Sequence, residues 1–276
     1  MKLSTPMPVD DVLADVAAAL ASNGMAVLIA PPGAGKTTRV PLALLDQPWL
    51  GANKILVLEP RRIAARGAAE FMSKLVGDRL GGIIGLRARL SSKVGPSTRI
   101  EVITEGVFTR MILDDPELTG IGAVLFDEFH ERSLDADLSL ALVLDARDAL
   151  RPDLRILIMS ATLDDARVAS LLNGAPIIES QGRAFPVETR YSGRKSQRID
   201  DDMTDAITRA LKSDSGSILA FLPGQGEIVR VAESLRECIT DPNVDIAPLY
   251  GALDMTDQDL AVMPTRAGPV VLITLR

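Results

Sequence analysis

Seven short runs rich in Val, Ile and Leu recur along the chain: MAVLIA (25–30), KILVLEP (54–60), RIEVITE (99–105), GAVLFDE (122–128), RILIMSA (155–161), SILAFLP (217–223) and VVLIT (270–274). Their apolar residues are continuous, not alternating, as in strands buried on both faces of a parallel sheet. Parallel strands need crossover connections, and helix-like stretches lie between the runs. From Leu134 to Leu150, for example, Leu134, Leu138, Ala141 and Leu142 share one helical face. Ser133 precedes them as a suitable N-cap, and Asp135 and Asp137 stand in the first turn, where negative charge is favoured. Strand and helix alternate throughout, which predicts an α/β, doubly wound architecture.

At 276 residues the chain is long enough for two domains, or for one and part of a second. Polar residues, two glycines and a proline interrupt the pattern between 180 and 202, and the interdomain connection is placed there. A hydrophobic content of 47% excludes a mostly disordered chain. No apolar run approaches the ~20 residues a bilayer crossing needs, and the opening MKLSTPMPVDD lacks an apolar signal-peptide core. The single cysteine, Cys238, forbids an internal disulfide and a cysteine-based zinc site, which fits a reducing cytoplasm. Its place in an apolar helix predicts a buried, inert thiol. One His and one Cys also argue against a metal hydrolase.

The net charge of −7 argues against indiscriminate nucleic-acid binding, but the average hides a pattern. Residues 61–110 hold ten Lys/Arg against four Asp/Glu, a basic stretch in an acidic chain. Alone it reads first as a solvated helical face. Aromatic residues, at 3%, are too few for a base-stacking sheet of the RRM or OB type.

The segment LIAPPGAGKTTR (28–39) follows the first run and opens a helix. Gly33 and Gly35, with Ala34 between them, permit a tight turn whose backbone N–H groups face phosphate oxygens. Lys36 would reach the β and γ phosphates and Thr37 would offer a hydroxyl to Mg²⁺, with Thr38 completing the candidate nucleotide-binding set. Ala30 stands where the GxxxxGK[ST] pattern has its first glycine. About ninety residues on, Asp127 and Glu128 end an apolar strand, and ligands in open α/β sheets bind beyond the carboxyl ends of strands. Asp127 suits a Mg²⁺ ligand and Glu128 a base for the attacking water. Two acids there also suit a capped helix start. His130, the one histidine, follows them in the loop leaving that strand. A structural role for it remains open. Ser160, Ala161 and Thr162 end another run, as a functional element or as the cap of a helix beginning at Asp164.

Taken in order, these segments resemble the superfamily 2 helicases of the DEAH-box class. APPGAGKTT is similar to motif I, LEPRRIAAR to motif Ia, ITEG to motif Ib, DEFH to motif II and SAT to motif III. GRAFPV resembles the segment joining the two motor lobes and ILAFLPGQGEI resembles motif IV. Phe129 replaces the usual Ala of DEAH. That feature, with GAGKTTRVPLALL, LEPRRIAAR and LYGAL, points more narrowly to the bacterial HrpB-type RNA helicases, over about Val9 to Thr274.

The resemblance implies a RecA-like P-loop NTPase domain over 1–182, an interdomain linker over 183–199 and an incomplete second RecA-like domain over 200–276. It implies ATP and Mg²⁺, with Lys36, Asp127 and Glu128 catalytic and Thr37 and Asp127 on the metal. Arg61, Arg62, Thr104, Glu105 and Gly106 would lie along the sugar-phosphate backbone of RNA, or of DNA. His130, Ser160 and Thr162 would couple nucleotide state to lobe closure. With no glutamine-bearing adenine clamp ahead of motif I, discrimination among nucleoside triphosphates should be poor.

VVLITLR begins like motif V and departs from it at Ile273 and Leu275; the family's motif VI, with its arginine fingers, has no counterpart. Such fingers are worth ~10³–10⁵ in rate at related sites. A shortened helicase with feeble hydrolysis and little or no unwinding is therefore expected. A fragment that holds nucleotide or RNA without turnover is the alternative, and another P-loop enzyme such as a small-molecule kinase is a third. No protein partner is indicated.

Overall fold

The computed structural model describes residues 6–89, 91–162, 172, 174–182, 186–193, 196, 198–262 and 268–275. The chain divides into two compact units, Met1–Phe185 and Pro186–Arg276. Part of the GRAFPV segment (183–185), the helix start expected at Asp164 and the terminal Arg276 lie outside the described residues.

In the first unit, strands β1 (Met25–Ile29), β2 (Lys54–Glu59), β3 (Ile84–Ala88), β4 (Ser91–Lys93), β5 (Ile100–Thr104), β6 (Ile121–Phe126), β7 (Arg155–Ser160) and β8 (Ile177–Glu179) form one sheet. Its order is β4-β3-β5-β2-β6-β7-β1-β8. Every pairing is parallel except β3 with β4 at the edge. Helices α1 (Leu13–Asn23), α2 (Lys36–Leu44) and α3 (Arg62–Val76) bury Val16, Leu20, Val40, Ala65 and Met72 against one set of strand side chains, including Leu28, Val57 and Leu125. Helices α4 (Glu105–Asp114) and α5 (Leu134–Ala149) bury Phe108, Ile112, Leu140 and Val143 against the alternate set, including Ile29, Leu58, Phe126 and Ile158. The two sets alternate along each strand because successive side chains point to opposite faces. Burying a side chain of this size stabilises by roughly 1.5–3 kcal/mol, so both faces must be apolar, and continuous runs are the result. Within the strands, away from their ends, Glu101 in β5 is buried but ion-paired to Arg87, with Lys54 Nζ 3.8 Å away.

In the second unit β9 (Ile218–Leu222), β10 (Asp245–Leu249) and β11 (Val270–Leu275) pair in parallel in the order β10-β11-β9. Residues of α6 (Ile199–Ser213) and α7 (Gln225–Cys238), among them Ile207, Ile228, Val231 and Leu235, close a core over Ala220, Leu222, Val271 and Ile273. The chain then adds α8 (Met255–Val262).

All seven apolar runs are strands, and the α/β architecture with a mostly parallel sheet stands as expected. Two local expectations are corrected. On α5 the buried residues are Ala136, Ser139, Leu140, Val143 and Ala146, whereas Leu134 is 85% and Leu138 44% exposed. Leu142, of the same stripe, is half-buried and packs at the edge of the core. Cys238 is exposed; it is the last residue of α7, three positions beyond Leu235, the last buried residue of that helix.

Candidate nucleotide-binding site

The strands β5, β2, β6, β7 and β1 stand side by side in that order and end at one edge of the sheet. Glu59 is in register with Thr104, Leu58 with Phe126, Phe126 with Ile158, and Ile29 with Ser160. Parallel register therefore brings residues far apart in sequence to a common rim, where ligands of such sheets bind.

The loop from Ala30 to Gly35 joins β1 to α2. Gly33 and Gly35 have φ of 78° and 92°, a region that favours glycine. At Gly35 a Cβ would also come within 3.2 Å of Met7 and Arg39. Ala30 is fully buried, has no positive φ, and donates its N–H to the Ser160 carbonyl at 2.9 Å, so alanine serves where the sequence pattern has glycine. Lys36 opens α2 and is buried; its Nζ donates to Glu128 Oε1 at 2.7 Å across 92 positions.

That pairing depends on a strained turn after β6. Glu128 adopts φ 48°, ψ 35°, left-handed for a non-glycine residue and costly by roughly 1–2 kcal/mol. Its N–H donates to Asp127 Oδ1 at 2.8 Å, and its carbonyl accepts from the Glu131 N–H at 2.9 Å. The turn folds the Glu128 side chain back over the loop. Asp127 is buried, and its Oδ2 lacks a hydrogen-bond partner among the described residues. Burial pushes the Asp127 carboxyl up to about 6, against the pull of the Thr37 hydroxyl and the Lys36 ammonium. A buried acceptor of this kind beside a hydroxyl fits a divalent cation with its water shell. No group of three or more His, Cys, Asp or Glu among the described residues could hold a metal by itself. A cation here would draw its other ligands from phosphate and water.

His130 joins this turn to the neighbouring strand end. Its Nδ1 accepts the Ala161 N–H at 3.2 Å, which leaves the imidazole proton on Nε2, 3.4 Å from Glu128 Oε2. Ser160 is fully buried, and its Oγ lies 3.4 Å from both the N and the O of Thr162. Phe129 is buried edge-on against Phe126, with ring centroids 6.0 Å apart, so the aromatic residue in DEFH is a core contact.

The residues expected along nucleic acid divide. Arg62 is exposed in the first turn of α3. Arg61 instead turns toward the site and pairs with Glu131, its Nε donating to Oε2 at 3.2 Å. Thr104 is buried at the end of β5 and precedes α4. The Glu105 carboxylate accepts the Ser133 hydroxyl at 2.6 Å, while Ser133 Oγ also caps α5 through the Ala136 N–H at 2.8 Å. Glu105 thus braces two helix starts. Gly106 lies beside Asp135, whose Oδ2 would stand 3.6 Å from an added Cβ.

A cavity of about 390 Å³ opens beside Thr37 and Glu128, lined also by Thr38, Glu59, Arg61, Ala64, Gly67, Ala68, Phe71 and Glu131. Glu59 and Glu131 were not among the residues singled out from the sequence. Glu59 carried a signal, since it ends an apolar run as Asp127 and Glu128 follow one. Its carboxyl is pushed up to about 8 by burial and then by the neighbouring Asp127, Glu128 and Glu131 charges. A raised carboxyl takes up a proton on folding. Over the window from 4.5 to about 8 the unfolded chain ionises before the folded one, so stability falls as pH rises. Asp127 adds the same sign between 3.8 and about 6. Thermal unfolding with chelator present should show a midpoint that declines across this window, and Glu59→Gln should flatten the decline above pH 6. A midpoint that rises with pH would contradict the arrangement of acids.

A family model, DEAD/DEAH box helicase, matches residues 12–171. "ATP-dependent RNA helicase HrpB" of Escherichia coli K12 is 50% identical over 97% of this chain and 33% of its own length. "ATP-dependent RNA helicase HrpA homolog" of Haemophilus influenzae is 31% identical over 97% of this chain and 21% of its own. A crystal structure of the Escherichia coli DEAH/RHA helicase HrpB superposes with a TM-score of 0.89, at 50% identity, over 97% of this chain and 34% of that one. The chain thus spans about a third of the first relative and about a fifth of the second.

Proposed function

Because the chain belongs to the DEAD/DEAH box helicase family, we propose that it binds and hydrolyses Mg·ATP as the motor portion of an RNA helicase of the HrpB kind. One observation carries the reading: the Lys36 ammonium meets the Glu128 carboxylate at 2.7 Å, with buried Asp127 adjoining it in sequence. A triphosphate entering over the Gly33–Gly35 turn competes for Lys36. Lys36 then moves to the phosphates, held also by the loop N–H groups, and Glu128 is freed of its counter-ion. The freed carboxylate orients the attacking water and accepts its proton, while His130 Nε2–H steadies the second carboxylate oxygen. Thr37 and Asp127 would hold Mg²⁺, whose charge would offset the negative charge of the triphosphate. His130 ties this carboxylate to the backbone at Ala161, and coupling between hydrolysis and the β7 end is assigned to that link.

RNA is assigned to the exposed rim at Arg62 and the α4 start, with contact to phosphates and not to base edges. Arg61, held by Glu131, is assigned to the nucleotide side. No described helix is long and apolar enough to cross a membrane. Phosphate release with and without single-stranded RNA, run beside Lys36→Ala, tests the reading. RNA should raise the rate, and Lys36→Ala should remove both basal and stimulated release. Nucleotide binding with no RNA-dependent turnover would instead make the chain a binding fragment. Arg62→Ala should weaken RNA binding for all sequences alike and reduce the salt slope by about one; an unchanged slope would remove Arg62 from the RNA path.

A further inference from the structure

The phosphate loop is held on its inner side by the segment that precedes α1. Val9, in the 3₁₀ turn Pro8–Val12, is fully buried and packs in the same core as Ala34 and Val40. Its N–H donates to the Ala34 carbonyl at 3.1 Å. Met7 lies against Gly35, where an added Cβ would come within 3.2 Å of the Met7 Cβ. The segment is itself fixed: Asp10 Oδ2 accepts the Met7 N–H at 2.8 Å, and the Asp10 N–H donates to the Met7 carbonyl at 2.9 Å. The Ala34 N–H donates to the Pro31 carbonyl at 3.1 Å, and Gly33 supplies the positive φ that a Pro-Gly turn of type II requires. The Ala34 carbonyl and the Gly35 N–H belong to one peptide unit. Among the described residues no peptide bond is cis, so these two groups point in opposite directions.

We infer that Val9 is a positioning residue for the phosphate site and acts through its backbone: by holding the Ala34 carbonyl inward it turns the Gly35 N–H outward, toward the triphosphate. The inference rests on the nucleotide-hydrolysis reading above and adds to it a part that lies outside the phosphate loop. A carbonyl facing a phosphate repels it and an N–H attracts it, so the direction of one peptide decides whether the turn accepts an anion. Glycine tolerates either sign of φ, so the peptide before Gly35 is free to rotate unless its carbonyl is held. Ala34 is 1% exposed. Loss of the Val9 donor would leave its carbonyl unsatisfied, a cost that flipping the peptide relieves. Affinity then falls with the fraction of loops left in the binding orientation. The device acts on the phosphates and is blind to the base.

The test removes only the Val9 N–H, by incorporating the α-hydroxy acid analogue of valine at position 9 of the full chain, so that an ester replaces the Pro8–Val9 amide. Calorimetry with ATP and with inorganic tripolyphosphate, each with Mg²⁺, should show both weakened to the same extent, about 5- to 100-fold. In ATP hydrolysis KM should rise by that factor while kcat stays within about two-fold, since the Gly35 N–H binds substrate and transition state alike. Val9→Ala keeps the N–H and loses core packing; it should lower the unfolding midpoint and leave both affinities unchanged. As a second route, Asp10→Ala, which releases Met7, should weaken both ligands, and Asp10→Asn, which keeps an acceptor, should restore them. Wild-type affinity in both the ester chain and Asp10→Ala, while Lys36→Ala removes binding, would overturn the inference and leave the phosphate site standing. Losses as large in Val9→Ala as in the ester chain would overturn it too, since packing alone would account for them. A wild-type chain that binds neither ligand would remove both readings.

Discussion

Hydrolysis of ATP by the chain carrying Glu128→Gln should fall by about 100- to 10,000-fold, with Mg·ATP binding retained. The assignment follows from what the other titratable groups at the rim are doing. Glu59, at about 8, is largely protonated at neutral pH and cannot accept a proton. Asp127 has Oδ1 committed to the Glu128 N–H, and its buried Oδ2 is assigned to the cation. His130 accepts the Ala161 N–H at Nδ1 and turns its Nε2–H toward Glu128. Glu128 alone of these has a side chain that is set free when Lys36 leaves it. Glutamine keeps the volume and can still face Lys36, so binding survives where basicity does not. Single-turnover phosphate release checks this. A Glu128→Gln chain that hydrolyses at the wild-type rate would move the base elsewhere.

Phe126→Ala should destabilise the first unit by about 3–5 kcal/mol, a large share of the 5–15 kcal/mol typical of whole domains. Phe126 is 1% exposed, and its ring meets Phe108 edge-on at 6.4 Å and Phe129 at 6.0 Å. Such pairs add about 0.5–1.5 kcal/mol beyond area burial. Because Phe126 is the last residue of β6, its loss also loosens the strand end from which Asp127 and Glu128 turn. Denaturant unfolding followed by circular dichroism should show the midpoint fall, and Phe126→Leu should recover much of it. A Phe126→Ala midpoint within 0.5 kcal/mol of wild type would show that the aromatic cluster does not organise this core.

The architecture was legible in the sequence because a sheet covered on both faces requires continuous apolar runs, and seven of them stand out. The shorter strands were not, for identifiable reasons. IGLRA carries Arg87 to the edge-side pair with Glu101, SSK is an exposed antiparallel edge, and DIAPL places a proline in β10. The phosphate loop was legible because its turn demands glycine at Gly35 both by φ and by the approach of Met7. The different directions of Arg61 and Arg62 could not be read, since adjacent residues at a helix start diverge by backbone geometry, and Glu131 decides where Arg61 goes. Glu105 likewise looks like a surface acid until Ser133 is seen to donate to it.

Calorimetric titration of the unmodified chain with ATP, in Mg²⁺ and again in chelator, tests most directly whether the Lys36 loop and the Asp127–Glu128 turn share one triphosphate. One site should appear, tighter with Mg²⁺, and Lys36→Ala should weaken it about 100-fold or more, as loss of a charge-assisted contact of ~3 kcal/mol requires. No heat of binding, or an affinity indifferent to both Mg²⁺ and Lys36, would contradict the convergence of these groups on a nucleotide.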